Sequence, residues 1–330
     1  MKNMKKSIKL FTILLAAGIL LAVIIFLSRN APQNQPTKQE KLKIAYFKEM
    51  VGAPYFVAKE SGIFEKNDLD VELIEVEAKQ VLNELITGRA DITIGVSWPS
   101  IIGMEIENPG LLKGFGSGGE TIDGEVVEGI LAREDSDMKN LMDLKGKTIA
   151  GDNARNNLAL EMVFKKIGLN PSEDVKIIEI GKDIIGQALA TKQVDAIFVL
   201  QPSLTVIKKM GVKILDTNIR AKNIIDPYWS GVLGVTTAKF ASENNGAIEK
   251  LFSALDEAVK YIRANPGKAK LISSEYTSLP EDIASKAGIY FFASPKEYID
   301  FEKAQIVVSS FVEAGILKES VDVKNVFLLP

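Results

Sequence analysis

Apolar and polar positions alternate in a way that predicts strands and helices in turn from Leu42 onward. Lys43-Ile44-Ala45-Tyr46-Phe47 reads as an apolar strand. Ala53-Pro54-Tyr55 opens a helix, with Pro54 in the first turn, where its missing N–H leaves no bond unmade; Gly62 ends it. Val71 to Val76 is a second strand with partial alternation. A helix with Val81, Leu82, Leu85 and Ile86 on one face follows, closed by Gly88. Asp91 to Val96 is a third strand, and Ser97-Trp98-Pro99-Ser100 starts the next helix. Strands separated by helices of this length predict a parallel sheet covered on both faces.

The same order restarts near residue 145. Lys147 to Gly151 is a strand, Leu158 to Ile167 a helix stopped by Gly168, Val175 to Ile180 a second strand, Ile184 to Ala190 a helix, and Val194 to Val199 a third strand before Gln201-Pro202-Ser203. Two similar lobes are therefore expected. Beyond Ile224 only one further strand is evident, Gly231 to Thr236, followed by amphipathic helices at about Asn245–Asn265, Pro280–Ala287 and Lys296–Ala314. A part with one strand makes no third sheet, so it is expected to return to the first lobe. Lobe 1 is then 42–130 plus 225–330 and lobe 2 is 131–224, joined by two hinge crossovers near Glu128–Glu134 and Ala221–Gly231.

The first thirty residues follow a different pattern. Lys2, Lys5, Lys6 and Lys9 precede an uncharged run of 18 residues from Leu10 to Leu27. That length approaches the roughly 20 apolar residues that span a bilayer and exceeds the usual secretory core of about 7–15. A transmembrane signal anchor over 1–30 is expected, with a cleaved signal peptide as the alternative; residues 31–41 read as a linker. The lysines would stay inside, placing the rest outside the cytoplasm.

Composition narrows the chemistry. The 330 residues carry a net charge of −3 and contain neither cysteine nor histidine. A slightly acidic chain lacks the basic excess that nucleic acid demands. Without His or Cys, most catalytic triads, thiolate zinc sites and acid–base pairs are excluded. No cofactor, no metal and no enzymatic activity are expected. Phe115-Gly116-Ser117-Gly118-Gly119-Glu120 is glycine-rich but lacks the lysine pattern of a phosphate loop, and reads as a mobile turn. Glu120, Asp123, Glu125 and Glu128 read as a solvated acidic face, or as a cleft wall favouring a cationic ligand.

Five stretches together resemble the nitrate/sulfonate/taurine group of ABC substrate-binding proteins, which includes binders of thiamine precursors. They are Pro54 to Lys66, Leu82 to Gly95 with Gly88-Arg89-Ala90-Asp91, Leu144 to Ala150, Val194-Asp195-Ala196 with Gln201-Pro202, and Ala264-Asn265-Pro266. The resemblance covers essentially everything after residue 41. It implies an α/β, two-lobed, periplasmic-binding-protein-like (type II) fold that captures a small, anionic solute outside the cytoplasm for an importer. Its partners would be an ABC permease and its ATPase subunit, with the chain a monomer. Binding of a thiamine pyrimidine precursor or another amine-bearing solute is the alternative within that class. A ligand-sensing input protein is a further one. Relatives of this fold that synthesise a pyrimidine precursor depend on histidine and cysteine, which this chain lacks. Gln201 stands where the group commonly has an acidic residue, and Asn153 to Asn157 replaces a smaller stretch.

In such sheets ligands bind beyond the carboxyl ends of the strands, at loops leading into helix N-termini. Four junctions qualify: Lys48–Ala53, Ser97–Ser100, Asp152–Asn157 and Leu200–Ser203. Lys48 and Arg155 are the candidate cations, with Arg155 able to grip an oxyanion in two-pronged fashion or to pair with Glu161 or Asp152. Ser97 and Ser100 could donate hydroxyls or merely cap their helix. Asn153, Asn156 and Gln201 complete the polar set. Trp98 and Trp229, with Asp226 near the second crossover, could form aromatic walls of a cleft or belong to the core.

Overall fold

The computed structural model describes residues 41–122 and 124–329. The expected anchor over 1–30 and most of the linker lie outside the described residues. Among the described residues no helix is long and apolar enough to cross a membrane.

Two five-stranded sheets form the frame. The first contains β1 (Leu42–Tyr46), β2 (Val71–Glu75), β3 (Ile92–Ser97) and β4 (Leu112–Ser117). A short β5 (Glu120–Thr121) leads to the second, built from β6 (Glu128–Arg133), β7 (Thr148–Gly151), β8 (Lys176–Glu179), β9 (Ala196–Leu200) and β10 (Val212–Thr217). The chain then forms β11 (Tyr228–Trp229) and returns to the first sheet as β12 (Gly231–Thr237). The orders are β2-β1-β3-β12-β4 and β8-β7-β9-β6-β10, the same arrangement twice. In each, three parallel strands meet one antiparallel strand, β12 or β6, which has just arrived from the other sheet.

Both sheets are covered on both faces because successive side chains on a strand point oppositely. In β9, Ala196 and Phe198 enter one core beside the helix Ala154–Ile167, whereas Ile197 and Val199 enter another with Ile185 and Leu189. The first sheet packs the helices Ala53–Glu60 and Asn245–Ala264 on one face. Its other face takes Trp98–Glu107 and Phe301–Glu313. Leu158 joins this last cluster from the second lobe, so apolar contact also links the two halves.

The glycine-rich stretch near Phe115 is not a mobile turn: it is largely β4. A Cβ on Gly114 would sit 2.8 Å from Val232 Cγ1, and one on Gly118 would sit 2.2 Å from the Val232 carbonyl oxygen. Glycine there lets β4 run close beside β12. The first crossover also lies upstream of its expected place, because Glu128–Arg133 pairs within the second sheet. Nor are all the acidic residues solvated. Glu128 is fully buried and Glu120 nearly so, while Glu125 is exposed; Asp123 lies outside the described residues.

The two crossovers pair as a small antiparallel ribbon, with Tyr228 opposite Thr121 and Trp229 opposite Glu120. Asn218 braces them. Its Nδ2 donates to the carbonyls of Ile122 (2.9 Å) and Glu125, and its Oδ1 accepts from the Val127 N–H at 3.2 Å. Arg220 Nε donates to Glu128 Oε2 at 2.5 Å, and the Arg220 backbone N–H donates to Oε1 at 2.9 Å. Burial opposes the charge on Arg220, but the Glu128 carboxylate, together with Tyr228 and Tyr290, holds its pKa above the ordinary value.

A Cβ on Gly234 would lie 2.2 Å from Tyr55 Oη and 2.5 Å from Phe115 Cζ, so Gly234→Ala should cost about 1–3 kcal/mol through overpacking. The Tyr55 hydroxyl is buried without a hydrogen-bond partner; Tyr55→Phe should be neutral or stabilising by up to about 1 kcal/mol. It should also lower the cost of Gly234→Ala, a coupling read from a double-mutant cycle in urea. On the ribbon, burial pushes the Glu120 carboxyl up to about 7 from an ordinary 4.5, against the Ser117 hydroxyl and the Arg263 charge. Folding therefore favours protonated Glu120, whose stabilisation is complete below pH 4.5 and lost as pH rises through about 7. Wild-type stability should fall by on the order of 3 kcal/mol across that window. Glu120→Gln should flatten that slope, and an unchanged slope would show that another group is responsible.

Candidate functional site

Between the two sheets, at the carboxyl ends of β1, β3, β7 and β9, lies a cleft of about 450 Å³. All four junctions chosen from the sequence contribute to its lining. β1 delivers Phe47 to Val51, β3 delivers Ser97, β7 delivers Asp152, Asn153, Arg155 and Asn156, and β9 delivers Leu200 to Ser203.

The β7 junction is the most ordered. Asn153 caps the helix Ala154–Ile167, its Oδ1 accepting from the Asn156 N–H at 3.0 Å. Asp152 Oδ1 accepts from the amides of both Asn153 (2.7 Å) and Asn156 (2.5 Å), which fixes the carboxylate at the cleft wall. The side chain of Arg155, in the first turn, is water-accessible although protein surrounds it on most sides. Among the described residues it has neither an ion-pair nor a hydrogen-bond partner, so the expected pairing with Glu161 or Asp152 is not formed. Desolvation in the cleft, followed by the nearby Arg220 charge, lowers its pKa. A free guanidinium thus stands beside the N–H groups and positive dipole end of a 14-residue helix, an arrangement suited to an oxyanion.

Other sequence candidates reach the cleft with their polar groups already engaged. The Lys48 ammonium lies 3.0 Å from Glu75. Gln201 is buried; its Nε2 donates to the Val126 carbonyl at 3.1 Å and its Oε1 accepts from the Thr205 hydroxyl at 2.8 Å. That amide therefore ties the cleft floor to the first crossover. Ser97 starts its helix without a side-chain capping bond, and its hydroxyl lies 3.0 Å from that of Ser100.

Four candidates lie outside the cleft lining. Ser100 is exposed beyond it. Asp226 is also exposed, and its carbonyl accepts from Lys303 Nζ at 2.8 Å. Trp98 and Trp229 are core residues and form no walls of the cleft. Their rings meet edge to face at 5.0 Å, Trp98 Nε1 donates to the Trp229 carbonyl at 2.8 Å, and Phe327 packs against both. Burying two large rings together removes more apolar surface from water than lining an open cleft with them.

The sequence reading missed several lining residues: Glu49, Lys182, Arg220, Tyr228 and Tyr290. Burial raises the pKa of both tyrosine phenols, so their hydroxyls stay protonated and can donate. Arg220 lies over the Tyr228 ring at 4.6 Å. Lys182 bridges to Glu49 at 3.3 Å, and Lys209 to Asp282 at 2.7 Å; each pair joins the two lobes. The only sequence signal for these was position, since Tyr228 and Arg220 flank the second crossover.

Comparison with known proteins agrees with this geometry. The chain is 23% identical over 283 residues to a protein of Haemophilus influenzae named as a candidate thiamine biosynthesis protein, covering 83% of this chain and 86% of that one. The periplasmic aliphatic sulphonate binding protein SsuA from Escherichia coli matches with a TM-score of 0.71 at 21% identity, over 88% of this chain and 92% of that one. The periplasmic nitrate-binding protein NrtA from Synechocystis PCC 6803 matches with a TM-score of 0.66 at 14% identity, over 87% and 84%. The fold is that of periplasmic binding proteins. The pattern of the NMT1/THI5-like family matches residues 50–269, and the chain belongs to that family.

Proposed function

We propose that this chain is the extracytoplasmic solute-binding component of an ABC importer. It captures a small anion between its lobes and delivers it to a permease that is driven by an ATPase subunit. The observation that carries this reading is the unpaired Arg155 guanidinium at a helix N-terminus in a cleft of about 450 Å³. Lobe closure would desolvate the anion and strengthen its bonds to Arg155, in the manner of hinged binding proteins. The E. coli and Synechocystis structures, named for sulphonate and nitrate binding, support an oxyanion head group. The function is capture rather than catalysis, in keeping with a chain that has no histidine or cysteine. Leu10 to Leu27 would hold the protein at the outer face of the cytoplasmic membrane, with the chain acting as a monomer.

A second reading rests on Asp152, an immobilised carboxylate with only amide partners in the same cleft. It favours a hydrogen-bond donor on part of the ligand, as in an amine-bearing pyrimidine precursor. The Haemophilus relative's name points the same way.

Thermal unfolding of the full-length chain in mild detergent, with nitrate, ethanesulfonate, taurine, bicarbonate, small carboxylates and an aminopyrimidine, separates the two readings. An anion should raise Tm progressively with concentration, by about 2.7 kcal/mol of stabilisation at a hundred times its Kd. Arg155→Ala should weaken that binding by about 1.5–3 kcal/mol. A response confined to uncharged or cationic compounds sinks the anion reading.

A further inference from the structure

Arg220 lines the cleft, is only 6% exposed, and lies in the short helix Ile219–Asn223 that follows β10 and opens the second crossover. A guanidinium has five N–H donors. Nε is taken by Glu128, Nη2 reaches Thr121 Oγ1 at 3.5 Å, and the guanidinium carbon lies 4.6 Å from the centre of the Tyr228 ring. The remaining donors have no protein acceptor among the described residues.

Its surroundings bind it to both crossovers. Thr121 lies on β5, Glu128 begins β6, and Tyr228 lies on β11, opposite Thr121 in the ribbon. Asn218, two residues earlier, fastens Ile122, Glu125 and Val127. A force applied to the Arg220 guanidinium is therefore felt on both chain segments that join the lobes.

Arg155 and Arg220 line the same cleft, where their like charges oppose one another. Glu128 neutralises Arg220 from the buried side, and among the described residues no carboxylate forms an ion pair with Arg155. An anion held between the two would relieve that repulsion.

We infer that Arg220 is a second contact for the ligand's oxyanion and the residue that couples its arrival to the hinge, Arg155 supplying affinity and Arg220 transmitting closure. This rests on the anion reading proposed above. It assigns Glu128 a positioning role: it holds the guanidinium at the hinge without touching the ligand.

The test uses the full-length chain with nitrate, ethanesulfonate and acetate as probes, following affinity by calorimetry and closure by tryptophan emission. Both tryptophans suit that purpose, since Trp229 lies in the ribbon and Trp98 meets it edge to face. Arg220→Lys keeps the charge but loses the planar fork, and should weaken the probe by about tenfold or more. Glu128→Gln should weaken binding less than Arg220→Lys does, yet cut the emission change at saturation by half or more. Wild-type affinity and emission response in both variants overturn the coupling while leaving the anion site standing. Should Arg220→Lys fail to fold, Glu128→Gln decides alone, and a full emission response in it overturns the inference. A wild-type protein that binds none of the three probes overturns the anion reading, and this inference with it.

Discussion

The buried ion pair between Glu128 and Arg220 fastens the two crossovers together where they meet the second sheet. Both charges are largely out of water, and such a pair is tolerable only when its geometry is good and further contacts support it. Here Glu128 also accepts from the Arg220 backbone, while the guanidinium rests on Tyr228 and reaches Thr121. Removing one partner from a buried pair typically costs about 3–5 kcal/mol, because the other charge is left stranded. That penalty keeps the two crossovers fastened to one another.

The cleft inherits its shape from this constraint. Each sheet presents strand ends and helix N-termini to the same gap, and the crossovers close its back. Polar groups tied to the frame, such as Gln201 and the Asp152–Asn153–Asn156 cluster, set a fixed wall; Arg155 stands before it without a partner. The ion pairs Lys182–Glu49 and Lys209–Asp282 span the lobes from exposed positions. Exposed pairs of this kind contribute roughly 0–1 kcal/mol each, enough to bias a closing motion but too little to prevent one.

The parallel strands were legible because each is a short apolar run between turn residues, and their repetition gave the two-lobed plan. The strands that complete each sheet were harder to read. β4 holds Gly114 and Gly116, β6 begins with Glu128-Gly129, and β10 is half-buried along its length with Lys213 and Asp216. None shows the alternation or the apolar run that marks a strand in isolation. The helix Pro266–Thr277 was also missed, since its lysines and serines give no clear stripe and only Asn265-Pro266 marks its start. At the cleft, the strand-end rule located the loops. It could not say which way Trp98 turns, because a first-turn side chain can face either the gap or the core. Arg220, Tyr228 and Tyr290 reach the cleft through contacts distant in sequence, which no local pattern encodes.

The position of β12 has a consequence for how the molecule is made. It lies between β3 and β4, which do not pair with each other, yet it is formed by residues 231–237. A chain emerging from its amino end completes all five strands of the second sheet by residue 217, while the first still has a gap between β3 and β4. Until β12 arrives, the facing edges of β3 and β4 carry unpaired backbone groups open to mispairing with other chains. The second lobe can mature early, whereas the first is completed only once residues 231–237 have been synthesised.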